Sequence, residues 1–529
     1  MEEPLLHGNE IQGDGLAGFR KDFVALLFLE FDSTHIADVK QWLRSIPLAS
    51  LGVVHAFNTA FSLMRRQLRQ DPPLHACWIN LGFTAPGLGK LINKAEVDKL
   101  GVAFNLGAAE RSTFVGDPNN GSPGDARTWV IGGPGNVPDA MLIIAGDHEA
   151  NVAAEVRSIR KQIDSISPGL SPVQITYEQA GQTLQGELRG HEHFGFKDGI
   201  SQPGIRGWID SPTRPLLTPR FIDPSDPLGA LFAAPGQPLI WPGEFVKGYP
   251  EMDLNDPLKP VQKPIDPPWT LDGSFLVFRR LHQDVAAFRR FIEEGVRTLM
   301  SAGFQGITAE RLGAMCTGRW ASGTPILRAP LVDDPRFVGD TNDAINSFFY
   351  DADTEPVAWN PSSGRTIDTL PAAHRDFDGV TCPLAAHIRK INPRDETTER
   401  GEFPRTFKHR IIRRGIPYGE AYDPAKPGSE RQDRGLLFIA YQSFIEEQFE
   451  FLQRTWANVS DAPRTNAGFD PIIGQNGNSD PVKRTLWFVK DDDTRTPLFI
   501  PERLVFATGG AYLFVPSISA IQNVLAKVG

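Results

Sequence analysis

The sequence predicts an α+β fold made of two like halves. Three observations predict it. Strand-prone apolar runs are followed by helical periodicity, two versions of this unit occur in the same order in each half, and a proline-rich interval lies between.

Residues 22–31 (DFVALLFLEF) read as a strand, and Asp32, Ser33 and Thr34 after it offer helix N-caps. Ile36, Val39, Leu43 and Ile46 then recur in steps of 3, 4 and 3. SFLVFRRL (274–281), followed by Val285, Phe288 and Ile292, repeats this unit. A second unit begins with AMLIIAG (140–146), behind which Val152, Val156, Ile159 and Ile163 step by 4, 3 and 4. GLLFIAY (435–441), with Ile445, Phe449, Leu452 and Trp456, copies it. Amphipathic helices need a sheet face to bury their apolar stripe, and two ferredoxin-like α+β sandwiches meet that need most economically. Coincidence is the competing reading, because every amphipathic helix steps by three and four.

This reading divides the chain into an N-terminal domain (1–210), a connecting segment (211–270) and a C-terminal domain (271–529). The connecting segment holds 14 of the 44 prolines, so it is expected to be irregular and extended. Its apolar pieces, Pro238–Trp241 and Phe245–Tyr249, predict that it lies against a domain. Residues 325–380, rich in Asp, Asn, Ser and Pro, read as a second long loop of the kind that serves as a cover.

Composition narrows the function classes. At 40% hydrophobic and 22% charged residues the chain is globular, and its formal charge of -10 disfavours nucleic-acid binding. The three cysteines, Cys77, Cys316 and Cys382, lack metal-site spacing and a CxxCH motif, and read as buried thiols. The acidic start MEEPLLHGNEIQGDG has no apolar signal region, and Phe23–Phe31 is too short to span a bilayer. A cytoplasmic protein without membrane attachment is expected, with a secreted form as the less favoured alternative.

Three segments are candidates for chemistry. In EHFGFKDGISQPGI (192–205), Gly195 and Gly199 bracket Asp198 among aromatics; taken alone it is a turn, yet a partly desolvated Asp suits proton transfer. In CPLAAHIRKINPR (382–394), His387 follows an apolar stretch and precedes Arg389 and Arg394. A lone His of this kind is usually structural, but imidazole also ligates iron, and arginines suit haem propionates. In HRIIRRGIPYGEAY (409–422), Arg413 and Arg414 point to opposite faces if the segment is a strand; surface arginines are the bland reading.

Taken together and in this order, the segments resemble the dye-decolorising peroxidase family. Its Gly-x-x-Asp-Gly signature stands here as Gly195-Phe196-Lys197-Asp198-Gly199, its proximal-histidine segment as CPLAAHIRKINPR and its distal-arginine segment as IIRRGIPYG. IQGDGL (11–16), PGEFVKGYP (242–250), GRWASGTP (318–325) and GLLFIAYQ (435–442) extend the likeness over nearly the whole chain. The resemblance implies a duplicated ferredoxin-like fold of dimeric α+β barrel type, with one haem b per chain in the C-terminal half. It implies His387 as iron ligand, Asp198 as distal acid–base and Arg413 as distal arginine, with Arg414 competing if the register slips. Arg389 and Arg394 become candidate propionate partners, and Leu436 and Phe438 candidate pocket lining. Glu446 and Glu450, at i and i+4, are candidates to orient His387, a solvated face being the bland alternative. Gly415 stands where some branches carry a Ser or Asn, so a distal hydrogen-bond donor is missing. Tyr418, Tyr422 and Trp456 are candidate electron relays. The implied activity is reduction of hydrogen peroxide with one-electron oxidation of dyes, phenolics or other aromatic donors, with an acidic optimum. A haem carrier without turnover is the alternative, and a structural protein without cofactor is a third reading.

Overall fold

The structure is a computed structural model. It describes residues 3–70, 72–166, 169–210, 216–218, 231–233, 236–256, 258–337, 343–353, 359–360, 365–366, 371–403, 405–478 and 484–527. Of the connecting segment, 211–215, 219–230, 234–235 and 257 lie outside the described residues; of the second loop, 338–342, 354–358, 361–364 and 367–370 do.

Counting the strands of the main sheet, the first half supplies β1 (Phe23–Phe31), β2 (Cys77–Phe83), β3 (Ala140–Gly146) and β4 (Val173–Gln182). The second supplies β5 (Ser274–Gln283), the short β6 (Ile412–Arg413) and β7 (Ile416–Tyr418), β8 (Gly435–Gln442) and β9 (Val505–Val515). The sheet order is β6-β8-β5-β9-β2-β3-β1-β4, with β7 also on β8. Each half thus has its strands in the ferredoxin-like spatial order second, third, first, fourth. Every pairing in the sheet is antiparallel. The halves meet where Phe514 of β9 pairs with Phe83 of β2. The expected barrel is not closed by strand pairing among the described residues. Instead its two edges meet through side chains: a Cβ on Gly181 of β4 would lie 2.7 Å from Ile416 of β7.

The helices explain why the two halves serve different ends. Helix α1 (Ile36–Ser45) follows β1, with Asp32 accepting the Thr34 amide ahead of it as the sequence suggested. Helix α2 (Glu149–Ile166) follows β3 and buries Val152, Val156, Ile159 and Ile163. Both pack in one cluster with Leu27, Leu29, Leu142 and Ile144, so helices cover the outer face of the first half. On the inner face, Leu26, Phe28, Met141 and Ile143 share a core with Phe278, Leu437, Ile439 and Leu513 of the second half.

In the second half, helix α3 (Val285–Ser301) does not cover its sheet. Phe288, Phe291, Ile292 and Leu299 pack instead with Leu312, Leu486 and Leu498, in a core separate from the main sheet. The stretch after β8 also departs from the expected helix. Residues 445–448 turn, and only Phe449–Phe451 and a wide-turned stretch, Leu452–Ala457, are helical. A strip of the outer face of β5, β8 and β9 is therefore left open to a cavity.

Within the connecting segment, Leu239, Ile240, Trp241, Phe245 and Val246 are buried. The three cysteines are free. Among the described residues no helix is long and apolar enough to cross a membrane.

The junction of the halves makes a test. Phe514 is fully buried, with Phe275 and Trp269 rings 5.5 and 5.4 Å away. Phe514→Ala is expected to cost about 3–5 kcal/mol in urea unfolding; a loss below about 1 kcal/mol would show that this contact does not consolidate the halves.

Candidate active site

The cavity takes its residues from both halves. Strand alternation puts Arg279 and Leu281 of β5, Leu436 and Phe438 of β8, and Val505 and Ala507 of β9 on its wall. Leu436 and Phe438 are half-buried between the fully buried Leu437 and Ile439, because their side of the strand faces the cavity.

Asp198 sits in a loop whose shape is set by backbone conformation and by an acid. Gly195 and Gly199 have φ of 95° and 74°, in the left-handed region that suits glycine. The Glu192 carboxylate accepts the Phe194 and Phe196 amides, each at 2.9 Å. Phe194 and Phe196 anchor the loop against Phe288 of α3, with ring centroids 4.4 and 6.2 Å apart. Burial pushes Glu192 up to about 7, against the amide bonds that favour its charge.

Arg413 Nη1 donates to Asp198 Oδ1 at 2.5 Å, and its Nη2 donates to the Ser201 carbonyl at 3.0 Å. Gln202 ties the loop to the strand: its Oε1 accepts the Arg413 amide at 3.1 Å, and its Nε2 donates to the Arg413 carbonyl at 3.1 Å. Burial raises the Asp198 carboxyl, but the Arg413 charge and the Gly199 amide outweigh it and hold the group below its ordinary value. Arg414 points the other way, donating to the carbonyls of Asp14, Gly15 and Leu16. The strand alternation therefore separates the two arginines, and Arg413 is the one beside Asp198.

His387 opens the short helix α4 (His387–Ile391) and lines the same cavity. Its Nδ1 lies 2.8 Å from Asp470 Oδ2. Asp470 is fully buried, and its other oxygen accepts the amides of Ile472 and Ile473 at 2.8 and 2.9 Å. Burial raises Asp470, but His387 and those amides keep it ionised below the ordinary range. With Nδ1 as donor, the Nε2 lone pair is free to ligate. The side chains of His387, Asp198 and Arg413 each retain 29% exposure although they lie deep in the protein, because what they face is the cavity.

Several sequence expectations are corrected here. Glu446 and Glu450 do not share a helix face and do not reach His387. Glu446 accepts the Ala103 amide at 2.8 Å, while Glu450 takes Arg111 and the Tyr512 hydroxyl. Asp470 orients the histidine instead. Its sole local signal is an acid between Phe469 and Pro471, and nothing in that links it to a histidine 83 residues away.

Arg389 is no cavity residue. It is 1% exposed and bound to Glu396 at 2.6 Å and Asp376 at 3.2 Å, so its charge is spent on structure. Arg394 does line the cavity, donating to the Asn346 and Phe348 carbonyls. Tyr418, Tyr422 and Trp456 do not line it. Tyr418 and Trp456 are buried, bonded to Asp433 and Glu399 respectively. Tyr422 lies under the guanidinium groups of Arg289 and Arg434. Gly415 borders the cavity, where a Cβ would come within 3.0 Å of the Leu437 carbonyl.

Three arginines on the wall were not assigned by sequence reading: Arg279, which is paired with Asp117 at 2.7 Å, and Arg319 and Arg410. Among the described residues, Arg319, Arg394 and Arg410 make no ion pair with a carboxylate. Burial and a neighbouring Arg394 charge push Arg319 and Arg410 each down to about 9. Arg410 Nε and Nη2 are buried without a hydrogen-bond partner. Three uncompensated buried cations beside an apolar wall, with a histidine lone pair facing the same space, fit a flat apolar group carrying carboxylates and a ligand-seeking metal.

The model of the family described as Dyp-type peroxidase, C-terminal, matches residues 365–466. Dye-decolorizing peroxidase msp1 of Mycetinis scorodonius is 31% identical over 534 residues, covering 98% of this chain and 88% of its own. The chain belongs to the dye-decolorising peroxidase family. A solved ancestral D-type dye-decolorising peroxidase matches with a TM-score of 0.74 at 31% identity, covering 99% of this chain and 100% of that one. A dye-decolorising peroxidase in complex with 2,6-dimethoxyphenol matches with a TM-score of 0.72 at 29% identity, covering 99% and 100%. The family is haem-dependent, and the chain is an oxidoreductase acting on peroxide.

The two classes of arginine separate in stability. Arg389→Met is expected to lose about 3–5 kcal/mol by stranding buried carboxylates. Arg410→Met in the haem-free protein is expected to be neutral or stabilising, since it removes an unpaired buried charge. Thermal or urea unfolding of both variants checks the contrast.

Proposed function

We propose that this chain is a peroxidase holding one haem b, with His387 as the iron ligand, Asp198 as the acid–base and Arg413 as the charge stabiliser. The observation that carries the reading is the Asp198–Arg413 pair set in one cavity with a histidine whose second nitrogen is tied to a buried carboxylate. Arg319, Arg394 and Arg410 would receive the propionates, and Leu436 and Phe438 would lie against the apolar body of the group. When bound, the haem supplies the iron that takes up peroxide and stores the oxidising equivalents.

The residues divide the remaining work. Ionised Asp198 accepts a proton from hydrogen peroxide and returns it to the departing oxygen, which leaves as water. Arg413 offsets the negative charge that grows as the O–O bond breaks, in a site where that charge is little screened. Gln202 keeps the pair in register by clamping the Arg413 backbone. Asp470 keeps the Nδ1 proton on His387, so Nε2 stays a ligand and gains basicity. Dyes, phenolics and other aromatics are the donors, in line with the phenol bound by the related peroxidase.

A haem carrier needs His387 but has no use for a buried Asp–Arg pair, so turnover is the favoured reading. Asp198→Asn is expected to slow the reaction of the haem-loaded protein with hydrogen peroxide by about 10²–10⁴-fold in stopped flow. Equal rates in both proteins would remove Asp198 from the proton transfer.

The pH dependence follows from the same pair. Asp198 is held below its ordinary value, so the acid limb of the peroxide reaction is expected below about pH 3.9. Arg413→Leu removes the charge that opposes burial, and protonation of Asp198 then extends upward. The acid limb of that variant is expected to move to higher pH; an unmoved limb would show that Arg413 does not tune the carboxylate.

A further inference from the structure

A second chamber, of about 550 Å³, lies beside the Asp198–Arg413 pair. Asp198, Gly199, Arg413, Gly415 and Leu436 border both it and the first cavity. Its wall is divided in character. Val24, Ile143, Ala145, Ile416 and Ile439 make an apolar side, and Arg20, Lys21 and Arg414 a cationic one; the acids Asp14 and Glu192 also line it, Asp14 accepting the Phe19 amide and Tyr441 hydroxyl and Glu192 the Phe194 and Phe196 amides.

The three cations are not equivalent. Lys21 is paired with Asp147 at 2.7 Å. Arg414 spends its donors on carbonyls of residues 14–16, and the Asp14 carboxylate offsets part of its charge. Arg20 has no such partner: among the described residues its side chain makes no ion pair and no hydrogen bond. It is exposed and lines the chamber, and the protein around it lowers its guanidinium with no carboxylate opposing. The charge near it is that of Arg414, of its own sign, and burial together with Arg20 holds the neighbouring His55 imidazole down towards its neutral form. Its backbone has φ of 52°, a left-handed conformation costly for a residue with a side chain. An unpaired guanidinium facing an apolar wall is a receptor for an anion with an apolar body.

We propose that this chamber binds a phenolic carboxylate, with the carboxylate on Arg20 and the ring on the wall of Val24, Ile143 and Ile416. As a substrate class this rests on the peroxidase reading; as a binding site it does not. Two such phenols, each giving up one electron and one proton to become a phenoxyl radical, balance the reduction of one hydrogen peroxide to two waters. Gly415 stands on the border between chamber and cavity, where a Cβ would lie 3.0 Å from the Leu437 carbonyl and 3.6 Å from the Leu436 side chain.

The test is calorimetric titration of the resting haem-loaded protein with para-hydroxybenzoate and, separately, with its methyl ester. The acid is expected to bind more tightly than the ester. Arg20→Gln is expected to weaken the acid by about tenfold or more while leaving the ester within about twofold, and Arg20→Lys to keep part of the difference. Equal binding of acid and ester by wild type, or unchanged acid binding by Arg20→Gln, overturns the proposal. Should Arg20→Gln not fold, competition in wild type decides: benzoate, which lacks the hydroxyl, must displace the acid, and failure to do so overturns the site. Peroxide-driven oxidation is measured in parallel. Its absence with every donor overturns the peroxidase reading, whereas acid-selective binding in that same protein upholds the anion site.

Discussion

Both halves of the chain hydrogen-bond into one sheet, and the position of every functional group follows from that. The pairing of β9 with β2 fixes the second half against the first, and the shared inner core of Phe28, Ile143, Phe278 and Leu513 makes the alignment costly to change. The loop leaving β4 can therefore meet β6, and Asp198 meets Arg413 across 215 residues of sequence. A carboxylate and a guanidinium this far from solvent are worth holding only where the geometry is good, and the Gln202 clamp and the Ser201 carbonyl supply it.

The second consequence is an asymmetry between halves of the same strand order. In the first half α1 and α2 cover the outer face of the sheet, as an α+β sandwich requires. In the second half α3 packs elsewhere, and the strip bearing Leu281, Leu436 and Phe438 has no long helix over it, only the short stretch from Phe449 beside Phe438. Such a strip is unfavourable when wet, and so are three buried arginines without carboxylates. A group that is apolar over its faces and anionic at its edge relieves both together. The neighbouring chamber repeats the theme, with an apolar wall and an Arg20 guanidinium that has no carboxylate partner among the described residues.

Much of this was legible in the sequence. Strand runs, helix periodicity and the Asp32 cap depend on residues within a few positions of one another, so β1, β3, β5 and β8 and the helices α1, α2 and α3 were readable where they stand. The glycines around Asp198 and the alternation that separates Arg413 from Arg414 are local in the same sense. The stretch after β8 was misread because Ile445, Phe449, Leu452 and Trp456 have helical spacing, yet Gln448 and the turn before Phe449 direct the chain into the cavity wall. That error carried Glu446 and Glu450 with it.

What the sequence by itself determined is four of the strands, the helices that follow three of them, the duplication and the identity of most residues able to do chemistry, because backbone preference and side-chain type are local properties. What only the tertiary structure decided is who meets whom. Asp470 beside His387, Glu396 and Asp376 around Arg389, and the lack, among the described residues, of any carboxylate paired with Arg410 or Arg20 are long-range facts. Two arginines of identical local appearance become a structural ion pair and an unpaired cation, and the difference is whether folding brings a carboxylate within reach in a medium too dry to screen its absence.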